Sequence, residues 1–273
     1  MLLCSTRAFG DGIVKENHFY RELADGGVAM GGFMQIGHPA VAEVLARAGL
    51  HWVIFDTEHG GIDLETGTAL IRAMSAWLCT PFVRLPINDS AWIARFLDAG
   101  VGGIVVPMVN SAEQAKAAVD AARYPPDGRR GFGYNRANNY GVDFDEYAAG
   151  ANAHTAVIVQ IEHIDGVENI DRILDVKGID GVFVGPYDLT GSMGIVGQMD
   201  HPKMTDALER IINACQRHGV PAGLHVVQPQ IERVQKAIDD GFRIIGMSLD
   251  NVMLYHAARS FLTEARQLVD ETK

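Results

Sequence analysis

Short runs of β-branched and other apolar residues alternate with amphipathic stretches of ten or more residues, the pattern of a parallel sheet whose strands are joined by crossover helices. Eight such units can be marked. The predicted strands cover residues 28–36, 51–56, 80–84, 103–108, 155–162, 181–184, 222–226 and 243–247. Apolar residues at helical spacing follow in 64–76, 90–99 and 111–123, and residues 39–48 continue the rhythm after strand one. Ser90 and Ser111 are placed as N-caps, and Gly49 and Gly100 sit where left-handed C-caps belong. The fold class predicted is therefore α/β, a (β/α)8 barrel, and 273 residues suit one such domain of about 250 residues better than two domains.

Two segments break the rhythm. Residues 124–150 are rich in Gly, Asn, Tyr and Arg, hold the turn signal Pro125-Pro126-Asp127-Gly128, and read as a functional loop over one barrel mouth. Residues 187–202 read as a Gly-containing insertion between strand six and its main helix. Residues 1–25 form an N-terminal extension in which a helix near 17–24 is expected to plug the barrel floor, and 251–273 form a C-terminal helix.

Composition narrows the function. With 48% hydrophobic and 21% charged residues, disordered, coiled-coil and collagen-like readings are excluded. The net charge of -11 comes with scattered Lys and Arg, so no basic face exists for nucleic acid. Cys4, Cys79 and Cys215 form no CxxC pair, which suggests neither a disulfide framework nor a zinc cluster and fits a reducing cytoplasm. Residues 1–10 do not resemble a signal peptide, and no apolar run of about 18 residues occurs, so a soluble cytoplasmic protein without a membrane partner is expected.

In such barrels the chemistry gathers at the carboxyl ends of the strands. Strand two ends in Asp56-Thr57-Glu58-His59-Gly60, strand three in Arg84, strand five in Gln160-Ile161-Glu162, strand six in Gly185-Pro186-Tyr187-Asp188, and strand seven carries His225. Glu162 and Asp188 can converge on a divalent cation, for which oxygen-only ligands favour Mg2+ or Mn2+; alternatively they pair with arginines or cap helices. His59, in a Gly-flanked turn, is either a general base or a structural histidine. Arg84 closes an apolar strand, where a guanidinium needs an anion: a ligand, or Asp56 or Glu58, or both.

The six lysines, Lys15, Lys116, Lys177, Lys203, Lys236 and Lys273, all fall outside the strands and their carboxyl ends, which disfavours Schiff-base chemistry and pyridoxal phosphate. The run Gly128-Arg129-Arg130-Gly131-Phe132-Gly133 follows a helix instead of linking a strand to one, so NAD binding is not expected. Strands seven and eight lack a Gly-rich phosphate cradle, which argues against phosphosugars.

Ordered motifs then point to a family. They are Ala48-Gly49-Leu50-His51-Trp52, Asp56-Thr57-Glu58-His59, Val83-Arg84-Leu85-Pro86, Val106-Pro107-Met108-Val109, Ala122-Arg123-Tyr124-Pro125-Pro126 with Gly128-Arg129-Arg130-Gly131, Val159-Gln160-Ile161-Glu162, and Ile179-Asp180-Gly181-Val182-Phe183-Val184-Gly185-Pro186-Tyr187-Asp188-Leu189. In these, over residues 30–265, the chain resembles the metal-dependent (class II) pyruvate aldolases of the HpcH/HpaI family, typified by 4-hydroxy-2-oxoheptane-1,7-dioate aldolase.

The resemblance implies a lyase that cleaves or forms 4-hydroxy-2-oxo acids from pyruvate or hydroxypyruvate and an aldehyde, through an enolate stabilised by Mg2+, Mn2+ or Co2+. It implies that Glu162 and Asp188 hold the metal, Arg84 the keto oxygen, and His59 the proton of the aldol hydroxyl. Gln160 is implied near the ketoacid, and the loop of Gly185, Pro186, Tyr187 and Asp188 is implied to offer backbone N–H groups to its carboxylate. Asp98 matches an aspartate that orients the histidine. As Asp98 ends a helix at the opposite barrel face, it would have to come from a neighbouring subunit. The family's hexamer, with its last helix exchanged between subunits, provides such a neighbour, and Val252, Leu254, Phe261 and Leu262 give the C-terminal helix an apolar face.

Tyr187 and His225 replace smaller and aliphatic residues of the family's pattern, and the loop between Gly133 and Tyr140, with Asn135, Arg136, Asn138 and Asn139, is about two residues shorter. A more polar mouth of this kind suits hydroxypyruvate or a small hydroxyaldehyde. The rival readings are a citryl- or malyl-CoA-type lyase, which needs a basic nucleotide site not evident here, and a non-catalytic 2-oxo acid binding protein.

Overall fold

Eight parallel strands close on themselves in sequence order, as the alternation of apolar runs and amphipathic stretches requires. The computed structural model describes residues 17–270. Cys4, Lys15, Lys273 and the outer ends of both predicted terminal segments lie outside the described residues. The strands are β1 Ala29–Met34, β2 Trp52–Asp56, β3 Thr80–Arg84, β4 Gly103–Val106, β5 Ala156–Ile161, β6 Gly181–Val184, β7 Ala222–Val226 and β8 Ile244–Leu249, and β8 pairs back onto β1. The helices are α1 His18–Leu23, α2 Pro39–Arg47, α3 Leu64–Met74, α4 Ser90–Ala99, α5 Ala112–Ala122, α6 Phe144–His154, α7 Ile164–Glu168, α8 Ile170–Leu174, α9 Pro186–Ser192, α10 Pro202–His218, α11 Ile231–Asp240 and α12 Asp250–Asp270. Of the described lysines, Lys116, Lys203 and Lys236 lie on helices and Lys177 in the turn before β6, so none enters the barrel.

Side-chain alternation divides the strands into two layers. Val53, Phe55, Val83, Ile104, Val106, Val157 and Val159 join the outer core shared with the helices, while Trp52, Ile54, Phe82, Ile158, Phe183 and Ile244 fill the barrel itself. Each fully buried aromatic ring contributes about 1.5–3 kcal/mol relative to exposure. The floor is closed by α1: Phe19 meets the Phe82 ring edge-on at 5.1 Å, and Asn17 donates to the carbonyls of Gly102 and His154. Residues that continue the inward register beyond these rings therefore face the open, carboxyl-end mouth.

Several expectations change. The cap of α4 is Asp89, not Ser90, and its carboxylate accepts from the Ala91 and Trp92 amides. An acceptor that is also charged suits the positive helix end, which displaces the boundary by one residue. Ser111 does cap α5, and Gly100 closes α4 at φ +99°. Residues 124–150 are not a free loop. Arg136–Gly141 forms a tight helical turn, α6 follows, Asn138 accepts from the Asn135 and Gly141 amides, and Arg136 Nη1 donates to the Ala99 carbonyl. Lying between the end of α5 and the start of β5, this segment packs at the amino-end face, away from its own chain's strand ends. Residues 187–202 include most of α9, which begins one residue earlier at Pro186.

The final helix stands apart from its barrel. It leans on β1 and β8 at its root, and only Asp250 of its residues is buried. Leu254, Tyr255, Phe261, Leu262, Leu268 and Val269 are all exposed. Among the described residues no helix is long and apolar enough to cross a membrane.

Candidate active site

The turn after β2 is shaped by Asp56, whose Oδ1 accepts from the Glu58 and His59 amides at 3.2 and 3.1 Å. An aspartate that binds backbone two and three residues ahead folds the chain back on itself. Gly60 completes the turn: a Cβ there would lie 2.3 Å from the Asp56 carbonyl oxygen. Thr57 anchors the turn to the next strand through its amide and hydroxyl, both donated to the Arg84 carbonyl.

Asp56 and Arg84 occupy paired register positions and continue the inward ladder of Trp52, Ile54 and Phe82. Arg84 Nε donates to Asp56 Oδ1 at 3.0 Å and Nη2 to Oδ2 at 2.8 Å, a two-pronged contact that fixes the guanidinium plane. Burial works against the Asp56 charge, but Arg84 and the Gln35 side-chain donor outweigh it and hold the carboxyl below its usual range. Glu58 Oε2 lies 3.3 Å from Arg84 Nε without a hydrogen bond of its own. Burial, with the Asp56 and Asp188 charges behind it, raises the Glu58 carboxyl although Arg84 and His59 pull it down.

Glu162 is buried beside Gln160, whose Nε2 donates to Glu162 Oε2; the other oxygen accepts from the Met108 amide at 2.7 Å. Met108 adopts φ +53° in presenting that amide, a conformation uncommon for a residue with a side chain and concentrated at functional sites. Burial pushes the Glu162 carboxyl up to about 7; the Met108 bond opposes this, while the Glu58 and Asp188 charges reinforce it. Gly185 lets the β6 end pass close by, since a Cβ there would stand 2.6 Å from Glu162 Oε2 and 2.8 Å from Gln160 Nε2. Pro186 starts α9, placing Asp188 in its first turn and leaving Tyr187 half exposed.

His59 is 58% exposed in its side chain, with Nε2 3.8 Å from Glu58 Oε2, so it is free to meet a molecule entering the mouth. His225 lies deeper, stacked on Phe33 at 4.3 Å, with Nε2 3.3 Å from the Ser248 carbonyl. Burial holds its imidazole down to about 4, so it is neutral at physiological pH. Arg84 lies over the same Phe33 ring at 5.1 Å. The predicted strand-end residues thus gather at one mouth, whereas Asp98 ends α4 at the other face and accepts from Arg130 Nη2 at 2.7 Å. Gln35 and the orienting role of Asp56 were not among the predicted site residues. Both share inward register with predicted ones, which was the available signal.

The residues present fit a divalent cation. Burial, reinforced by the Glu58 and Asp188 charges, pushes the Glu162 carboxyl out of the carboxylate range, and the missing side chain of Gly185 keeps its oxygen uncovered on that side. Among the described residues no group of three or more His, Cys, Asp or Glu side chains is placed to hold a metal ion, so an ion bound here would need donors from outside the chain as well.

Residues 30–257 match the family described as HpcH/HpaI aldolase/citrate lyase. The molecule is therefore a barrel lyase acting on carbon–carbon bonds. It belongs to the HpcH/HpaI family and is an aldolase of its divalent-metal-dependent class. The hydroxypyruvate/pyruvate aldolase of Roseobacter denitrificans is 36% identical over 253 residues, which cover 92% of this chain and 98% of that protein. The 4-hydroxy-2-oxovalerate aldolase of Novosphingobium aromaticivorans is 38% identical, over 93% of this chain and 96% of its own. A crystal structure of an HpcH/HpaI aldolase/citrate lyase family protein from Burkholderia cenocepacia superposes with a TM-score of 0.87 at 34% identity, covering 92% of this chain and 99% of that one.

Proposed function

We propose that this single-domain aldolase cleaves 4-hydroxy-2-oxo acids into pyruvate or hydroxypyruvate and an aldehyde, and joins them in the reverse direction. The observation that carries this reading is Arg84, locked by Asp56 and set in a mouth shared with Glu58, Glu162 and Asp188. Glu162 and Asp188 would hold Mg2+ or Mn2+, with Co2+ a workable substitute. When bound, the ion would draw electron density from the ketoacid and favour its enolate.

The chain's own groups divide the remaining work. Arg84 faces the oxygen that gains charge as the C3–C4 bond breaks, and Gln160 lies beside it to orient the ketoacid. The first-turn amides of Tyr187 and Asp188, behind Gly185 and Pro186, have no acceptor within α9 and would be available to the substrate carboxylate. His59 takes the C4 hydroxyl proton in cleavage and returns it in addition. Tyr187 and neutral His225 line the acceptor side and favour compact, hydroxylated partners.

Asp98 would serve His59 of a second copy in a hexamer whose exposed α12 helices are exchanged. Absence of a basic nucleotide cluster favours small ketoacids over CoA thioesters, and a cytoplasmic site of action follows from the same reading. Incubation with Mg2+ or Mn2+ and a 4-hydroxy-2-oxo acid, with pyruvate release coupled to lactate dehydrogenase, tests the reading directly. Turnover of citryl- or malyl-CoA alone, or ketoacid binding without turnover, would replace it.

A further inference from the structure

Asp56 is tied from behind as well as by Arg84. Gln35 Nε2 donates to Asp56 Oδ2 at 2.7 Å, the same oxygen that accepts from Arg84 Nη2. The other end of that amide, Oε1, accepts from Asn251 Nδ2 at 2.9 Å. The Gln35 and Ile36 amides donate to the two oxygens of Asp250 at 3.0 and 2.9 Å. Asp250 and Asn251 are the first two residues of α12. One side chain thus joins the root of the final helix to the carboxylate that sets Arg84.

We propose that Gln35 is a positioning residue that transmits the seating of α12 to Arg84, so that turnover depends on how that helix is docked. This inference rests on the reading of Arg84 as the group that meets the ketoacid oxygen. An ionised carboxylate only accepts, so it must face the Gln35 NH2, and the Gln35 carbonyl is thereby turned toward a donor. Asn251 supplies that donor, and the pair has one satisfied orientation. Asp56 is fully buried, so a lost donor on Oδ2 is not replaced by bulk water.

Competition for Arg84 makes the link consequential. Its guanidinium is shared between Asp56, at 3.0 and 2.8 Å, and Glu58, at 3.3 Å. With Gln35 holding Oδ2, the Asp56 carboxylate keeps its plane and both prongs of the contact. Without it, the carboxylate can turn and Arg84 can shift toward Glu58. Beyond its root α12 has almost no buried surface on its own barrel, so its direction is set elsewhere, and the clamp of Asp250 and Asn251 on Gln35 is where that direction meets β1.

The test compares Gln35→Met, which keeps length but loses both polar ends, with Asn251→Ala, an exposed change that cuts only the helix side of the bridge. Both are measured in the full-length protein with Mn2+ for kcat and KM in 4-hydroxy-2-oxo acid cleavage, with oligomeric mass and melting temperature recorded alongside. Gln35→Met should lower kcat roughly ten- to a hundredfold with much less change in KM, because misplacement of a charge partner is felt most in the transition state. Asn251→Ala should show a smaller loss of the same kind, and none beyond that of Gln35→Met when the two are combined. Normal kcat in folded Gln35→Met, or losses that multiply independently, overturns the inference while leaving the aldolase reading intact. If Gln35→Met does not fold, an unaltered kcat in Asn251→Ala overturns it just as well. A wild-type protein inert toward every 4-hydroxy-2-oxo acid sinks the reading and the inference together.

Discussion

Asp56 and Arg84 face each other across the carboxyl ends of β2 and β3, joined by hydrogen bonds of 3.0 and 2.8 Å, and neither is appreciably exposed. The pair presents a planar cation of fixed orientation to the mouth. Removing it by Arg84→Ala should cost about 10²–10³ in kcat/KM, as for other preorganised charge partners. It also strands a buried carboxylate, which typically costs about 3–5 kcal/mol and should show as a lower melting temperature. Arg84→Lys keeps the charge but not the fork, so it should melt nearer to wild type while recovering only part of the rate. Equal rates for wild type and Arg84→Ala would remove Arg84 from the mechanism.

His225 gives the protein an acid-side weakness. Its imidazole titrates near 6.5 in the unfolded chain and at about 4 when folded, because burial against Phe33 and Phe183 disfavours the charged form. A depressed histidine contributes stability that is complete above pH 6.5 and disappears as pH falls toward 4. Near pH 5 the loss amounts to about 2 kcal/mol. His225→Phe should therefore narrow the gap in melting temperature between pH 7.5 and pH 5. An unchanged gap would show that the ring is solvated in the folded state.

Much of this arrangement is legible in the sequence because the barrel imposes a strict parity. Once Phe82 and Ile158 are placed inward, Arg84, Gln160 and Glu162 must follow them to the mouth. What is not legible is polarity beyond the strand ends. Gln35 follows Phe33 on the inward side of β1, yet its importance depends on Asn251, 216 residues away, and no local pattern pairs them. The segment after α5 misleads for a different reason. Its Gly, Asn and Pro content is that of a loop, but α6 is held by tertiary packing, as in the stack of Tyr124 on Phe132 at 4.4 Å and the edge contact of Phe132 with Phe144. Asp98 ends α4 at the far face, as the topology predicts, but its partner there, Arg130, lies in that loop-like segment, where nothing local marks it.

Removal of the divalent ion should abolish turnover. Treatment with a chelator followed by desalting is expected to leave a folded but inactive protein, and Mg2+ or Mn2+ should restore it. Glu162→Gln and Asp188→Asn keep the shape of the site while withdrawing charge from the proposed ligands. Both should fold, show activation by the ion weakened by about a hundredfold, the upper end of the roughly 10- to 100-fold loss seen when even outer partners of a metal site are removed, and gain little from added metal. Full activity after exhaustive chelation would refute the metal role assigned to these carboxylates.

Gly185 offers a steric probe of the same centre. An added methyl would press on Glu162 Oε2 and Gln160 Nε2, at the ends of side chains, and would stand 2.9 Å from Glu162 Cβ, so a slight backbone adjustment accompanies the displaced side chains. Gly185→Ala should melt somewhat below wild type yet lose activity by about tenfold or more, because a displacement of under 1 Å is enough to disturb preorganised groups. A large fall in melting temperature with unaltered kcat in the folded fraction would reverse that expectation.

Asp98 tests whether the site is completed by a second copy. Within one chain it belongs to the amino-end face and is held by Arg130, whose side chain is fully buried against Tyr124 and Tyr147. Such a rigid pairing leaves Asp98, a third exposed, presented outward with a fixed direction. If it reaches His59 of a neighbour, Asp98→Ala and His59→Ala should each be inactive alone. Unfolding and refolding the two together should recover activity, because mixed assemblies then contain sites in which both residues are native, one from each copy. The same mixture of Arg84→Ala with His59→Ala should recover nothing, since those two residues lie in one mouth of one chain. Recovery in neither mixture would mean that Asp98 acts only within its own subunit, through Arg130 and the packing around it, and recovery in both would mean that regained activity does not report a site shared between copies.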